Sequence, residues 1–173
     1  YDTDQFIPLI KKVEEISGIK YQGQMAFKVI ADHIRTVTFA ISDGATLSNE
    51  GRGYVLRRVL RRATKYAKSE LGINHPFMYE LVDVVVKTME EPYPYLKEKQ
   101  NIVKTIVKNE EEKFLETLSA GEKRFNQIAL NAQNKVISGE DAFVLYDTYG
   151  FPLELTMEQA SILGLSVDEQ GFK

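Results

Sequence analysis

The sequence predicts an all-α fold, a helical bundle with one long helix and no significant sheet. Three observations predict it. Apolar residues recur at helical spacing through most of the 173 residues. No alternating apolar–polar run extends beyond a few residues, so nothing reads as a substantial strand. Glycines and prolines fall mainly where the periodic stretches stop.

The elements follow in order. Phe6, Ile10, Val13 and Ile16 keep helical spacing, with Thr3 as a candidate N-cap and Gly18 as a stop. Ala26, Val29, Ile30, Ile34, Val37 and Ile41 make a second helix ending near Asp43-Gly44. A basic helix starts after the cap candidates Ser48 and Asn49 and stops near Gly72. Pro76 fits the first turn of a helix carrying Phe77, Leu81, Val84 and Val85. Pro92 and Pro94 break the chain. Leu96 to about Asn131 reads as the long helix, with Gly121 as the point where it kinks or splits. Asp141 to Tyr146 predicts a short helix, Asp147 to Pro152 a break, and Leu153 to Leu163 a last helix stopped by Gly164. Neither a repeat nor a low-complexity linker is found. The reading is one domain over 1–173, with any subdivision near 92–95.

Composition excludes several classes. There are no cysteines, so disulfides, cysteine-based zinc sites and cysteine nucleophiles are out. Two histidines, His33 and His75, make no obvious metal site. No apolar run approaches about 18 residues, so no membrane span is expected. The opening Tyr1-Asp2-Thr3-Asp4 is neither a signal nor a transit segment and lacks an initiator Met, which suggests a piece of a longer chain. A net charge of −3 argues against general nucleic-acid affinity. The charge is uneven, however: residues 140–173 hold seven acids and one base.

The basic helix is the most informative stretch. Arg52, Arg57, Arg58, Arg61, Arg62, Lys65 and Lys68 follow one another with no acid between them. On a helical wheel, Val55, Leu56, Val59, Leu60, Ala63, Tyr66 and Ala67 fill one arc of roughly 140°. Arg57, Arg58, Arg61, Arg62, Lys65 and Lys68 fill the opposite arc, a cationic ridge. Four arginine forks there suit phosphate oxygens. A solvated face is the plainer reading, but solvated faces usually interleave both signs.

Catalytic constellations are missing. There is no glycine-rich phosphate loop, and Gly51-Arg52-Gly53 is too short for a dinucleotide fingerprint. Asp32 and His33 are adjacent, so a helix splays them by about 100° and a dyad is not expected. Glu110-Glu111-Glu112 is expected to be a solvated face that balances the ridge. Two polar positions stand out as readers of a ligand. Asn49 precedes the basic helix, where capping is the competing role. Asp147 sits at the break between two helices, where a turn or cap is the competing role. The residues alone describe a binding module, either for a polyanion or, alternatively, a helical protein-interaction scaffold with a basic face.

Ala31-Asp32-His33-Ile34-Arg35, Ile41-Ser42-Asp43-Gly44, the run from Ser48 to Arg58, and Leu145-Tyr146-Asp147-Thr148-Tyr149-Gly150-Phe151-Pro152 resemble the alanyl-tRNA synthetases from end to end. The opening Tyr1-Asp2-Thr3-Asp4 looks like the segment after the last class II signature of that family. The resemblance implies the middle helical domain, which recognises the acceptor stem of alanine tRNA. It implies an N-terminal aminoacylation core and a C-terminal editing domain in the same polypeptide, a cytoplasmic ligase, and no membrane. It also implies ATP with magnesium, and zinc, for those other parts, with no cofactor, metal or catalytic residue in this one. The family's readers of a G·U wobble pair fall by motif match on Asn49 and Asp147. Phosphate binding would then belong to Arg52, Arg57, Arg58, Arg61, Arg62, Lys65 and Lys68.

Overall fold

The computed structural model describes residues 6–48 and 50–172. Among the described residues the chain is helical, as expected, with one two-stranded pairing. Helices α1 (Ile7–Ser17), α2 (Met25–Ser42), α3 (Gly51–Leu71), α4 (Met78–Met89) and α5 (Tyr95–Leu130) come first. Strand β1 (Val136–Ile137), helices α6 (Gly139–Tyr149) and α7 (Leu153–Ile162), strand β2 (Ser166–Val167) and helix α8 (Glu169–Phe172) follow. Two compact units result, Tyr1–Lys113 and Phe114–Lys173. The boundary falls inside α5, whereas residues 92–95 lie within the first unit.

The first unit buries Phe27, Ile30 and Ile34 of α2, Leu60 of α3, Met78 and Leu81 of α4, and Val103 and Val107 of α5. Ala63 and Ala67 are fully buried on α3. Left-handed Gly18 and Gly72 end α1 and α3 at the expected places. The candidate cap Thr3 lies outside the described residues. Pro76 does not sit in the first turn of α4: the helix begins at Met78, and Phe77 is its N-cap.

The second unit packs Phe114, Leu118, Phe125 and Ile128 of α5 with Ile137, Leu145, Phe151, Leu155 and Ala160. Strands β1 and β2 pair in parallel, Val136 with Ser166 and Ile137 with Val167. They are too short to leave an alternation signal. Asn134 and Lys135, both with φ near 60°, form the tight turn that feeds β1. Helix α6 starts earlier than expected because Ser138 caps it, its hydroxyl accepting from the Asp141 amide at 3.1 Å. Phe172 of the unpredicted α8 packs on α6 through Phe143 and Tyr146.

Gly121 does not split α5, which runs unbroken through it. It is a close-approach glycine: a Cβ there would stand 2.6 Å from Phe151 Cε1 and 3.1 Å from Tyr149 Cβ. The periodicity of the long helix outweighs one glycine, whose cost in a helix interior is only about 1 kcal/mol.

Candidate RNA interface

The ridge on α3 is not one exposed cationic face. Arg61 is buried, at 7% exposure, and Glu110 of α5 neutralises it. Glu110 Oε1 accepts from Arg61 Nε at 2.8 Å and lies 2.7 Å from Arg61 Nη2. Arg57 Nε lies 3.0 Å from the same oxygen. Lys65 is also buried, its ammonium donating to Ser69 Oγ at 2.9 Å. Residues 57, 61 and 65 are one turn apart, so they form the inward edge of the ridge. Val55, assigned to the apolar arc, is instead 42% exposed. The buried sector of α3 is rotated toward the arginines because a buried acid waits for them.

On the outward edge Arg52 is exposed, while Arg58, Arg62 and Lys68 are half-buried. Arg52 lies on the first turn of α3, which itself holds no acid, two residues after the N-cap Glu50 and where the helix dipole is positive. Arg58 lies over the Tyr54 ring at 6.0 Å and Arg62 over the Tyr66 ring at 5.0 Å. Arg62 Nη1 also donates to His33 Nε2 at 3.1 Å, which requires that nitrogen to be unprotonated. His33 Nδ1 is 3.5 Å from Asp32 Oδ2, so adjacent side chains on one helix do meet, against the expectation from their angular spacing. The imidazole is engaged from both sides as a linker.

Asn49 lies outside the described residues. Its neighbours are placed. Gly53 is buried in the first turn of α3, and a side chain there would collide with Ser48 Oγ and the Thr46 carbonyl. The segment before Asn49 therefore lies directly on the start of α3. Ser48 Oγ donates to the Glu50 carbonyl at 2.9 Å.

Asp147 is placed differently from expectation. It is not in the turn but in the last turn of α6, and it is exposed. The turn is made by Gly150, left-handed at φ 72°. Gly150 and Phe151 return their amides to the carbonyls of Tyr146 and Leu145. Asp147 caps nothing here, and the negative end of a helix dipole disfavours a carboxylate.

The Glu110-Glu111-Glu112 run is not a solvated face. Glu110 and Glu111 are buried and only Glu112 is exposed. Glu111 Oε2 accepts from the Phe77 amide at 3.1 Å, so a residue on α5 caps α4. Burial pushes its carboxyl up from 4.5 to about 7, against the pull of the Phe77, Met78 and Tyr79 amides. The signal for these two acids was present in the apolar stripe Val103, Val107, Phe114, Leu118, which points positions 110 and 111 inward.

Among the described residues, no group of three or more His, Asp and Glu side chains is arranged to hold a metal ion. Nor is any helix there long and apolar enough to cross a membrane. A family profile described as tRNA synthetases class II (A) matches residues 1–173. The chain is 61% identical to the alanine–tRNA ligase of Exiguobacterium sibiricum. It is 56% identical to those of Staphylococcus epidermidis and Bacillus anthracis. In each case the match covers 100% of this chain and 20% of the relative, so the chain spans about a fifth of their length.

Proposed function

The chain belongs to the tRNA synthetase family of class II (A), and from that premise we propose that it is the acceptor-stem recognition domain of an alanine–tRNA ligase. The observation that carries the proposal is Asp147. It is exposed, it caps nothing, and it stands where the helix dipole disfavours an acid. A ligand's donor gives such a carboxylate a purpose that its turn does not.

The chemistry is that of A-form RNA. Its wide minor groove displays base edges. In a G·U wobble pair the guanine 2-amino group lacks its usual base-pair partner. An ionised Asp147 accepts from that amine, and Asn49 can both donate and accept. The outward basic residues Arg52, Arg58, Arg62 and Lys68 hold phosphates and set register, while the two polar readers specify. Arg57 and Arg61 serve the fold through Glu110 and contribute only indirectly. In this reading the chain docks tRNA and does no bond chemistry. Activation of alanine, with ATP and magnesium, and zinc-dependent editing belong to the rest of a cytoplasmic parent enzyme. Zinc does not fit this part, which offers two histidines and no cysteine.

The test is a binding titration of the 173-residue chain against an acceptor-stem hairpin with G·U and the same hairpin with G·C. Tighter binding of the G·U hairpin, with the difference reduced in Asp147→Ala, is expected. Equal binding of both hairpins by the unsubstituted chain would remove base recognition from this domain.

A further inference from the structure

Among the described residues, no hydrogen bond or ion pair anchors the Asp147 side chain. Its position is set by the backbone beneath it, and that backbone is held by one face of α5. Phe114, Thr117, Leu118 and Gly121 follow at i, i+3, i+4 and i+7, so they share a stripe. The Thr117 hydroxyl has the Tyr149 carbonyl at 2.7 Å and the Phe114 carbonyl of its own helix at 3.2 Å, and its one hydrogen goes to the nearer. The Tyr149 carbonyl is among the last four of α6, which have no partner within their own helix. Phe151 is 1% exposed, with its ring tilted against Phe114 at 5.7 Å. Gly121 completes the seat, because any side chain there would meet the Phe151 ring and Tyr149.

We propose that Thr117 and Gly121 are positioning residues for base recognition, seating the end of α6 so that Asp147 projects at a fixed depth and angle. The proposal rests on the reading of Asp147 as a base reader. Neither residue touches RNA: they act through Tyr149 and Phe151. Neighbouring carbon atoms pack about 3.5–4.0 Å apart, so an alanine at 121 makes its neighbours yield by roughly 1 Å. A shift of that size takes a hydrogen bond of about 2.9 Å out of range. Phosphate attraction falls off over a Debye length of about 8–10 Å and hardly registers it. Overpacking this buried seat also costs stability, which alanine's better helix propensity offsets only in part. Melting temperature is therefore read beside the affinity ratio at this position.

The experiment measures affinity for the G·U and G·C hairpins, and melting temperature, in Thr117→Val, Thr117→Ser, Gly121→Ala and Asp147→Ala. Thr117→Val and Gly121→Ala should lower the G·U to G·C affinity ratio by about fivefold or more, the low end for one base-reading hydrogen-bond pair. Affinity for the G·C hairpin should stay within about twofold, since phosphates dominate it. Thr117→Ser keeps the donor and should keep the ratio. Should Gly121→Ala fail to fold, the valine and serine variants decide the matter. A full ratio in Thr117→Val beside a diminished one in Asp147→Ala would overturn the positioning role. Equal losses on both hairpins with a lower melting temperature would overturn it too, leaving a structural role only. A full ratio in Asp147→Ala itself would remove the reading beneath the proposal, and the proposal with it.

Discussion

Glu111→Gln should stabilise the chain, and increasingly so as pH rises. Two effects oppose each other at this carboxyl. The amides at the start of α4 and the positive end of its dipole favour the anion, by up to about 2 kcal/mol in partly buried geometries. Removal of an ion from water costs several kcal/mol. Glu111 is 1% exposed, with Glu80 the further charge that raises it, and burial wins: the carboxyl titrates at about 7 rather than 4.5. In the unfolded chain it ionises near 4.5, so between about 4.5 and 7 the folded state binds the extra proton. Stability from this group is therefore lost as pH rises through that window, not gained. The shift corresponds to about 3 kcal/mol at pH 8. Glutamine keeps an acceptor for the Phe77 amide and cannot ionise. Urea unfolding from pH 4.5 to 8.5 should give stabilities that nearly coincide at the acid end. The curves should diverge by up to about 3 kcal/mol at the alkaline end, with the variant the more stable. A variant less stable than the unsubstituted chain at pH 8, with the gap closing toward pH 4.5, would refute the argument. It would mean that the anion is the form the fold favours.

Glu110→Ala removes the carboxylate that faces buried Arg61 and should cost up to about 3–5 kcal/mol, read as a lower denaturant midpoint. A midpoint within error of the unsubstituted value would show that the pair is solvated. Arg52→Ala with Arg58→Ala should flatten the log–log salt dependence of RNA binding by up to about one for each phosphate the variant no longer neutralises, on G·U and G·C hairpins alike. An unchanged slope would place the phosphates elsewhere. Asp147→Ala should leave the melting temperature unchanged or raised, because it removes an acid from the negative end of α6. A clear drop would return Asp147 to a structural role.

The candidate interface is legible in part from the chain alone. Arg52 and Asp147 are exposed and Arg58 is half-buried, and the unmixed run of bases is a property any reader of the chain sees. The division of that run is not visible there. Arg61 and Glu110 are 49 residues apart, and nothing in the local sequence of α3 says that an acid will meet its inward edge. The place of Asp147 departs from expectation for a local reason: Gly150 rather than Asp147 ends the helix, and the left-handed turn needs only the glycine.

The sequence by itself determined the longer helices, the stops at Gly18 and Gly72, and the motifs that tie the chain to its family. These depend on periodicity, backbone freedom and residue identity, all carried within a few positions. Tertiary structure alone decided that the inward sector of α3 takes in Arg61 and Lys65. It made Glu111 of α5 the cap of α4, Glu110 the counter-charge of α3, and Gly121 a seat for Phe151 instead of a break. It also paired β1 with β2. A helical wheel assigns angles but no neighbours. The neighbour decides whether a charge at a given angle is solvated, buried and paired, or buried and protonated.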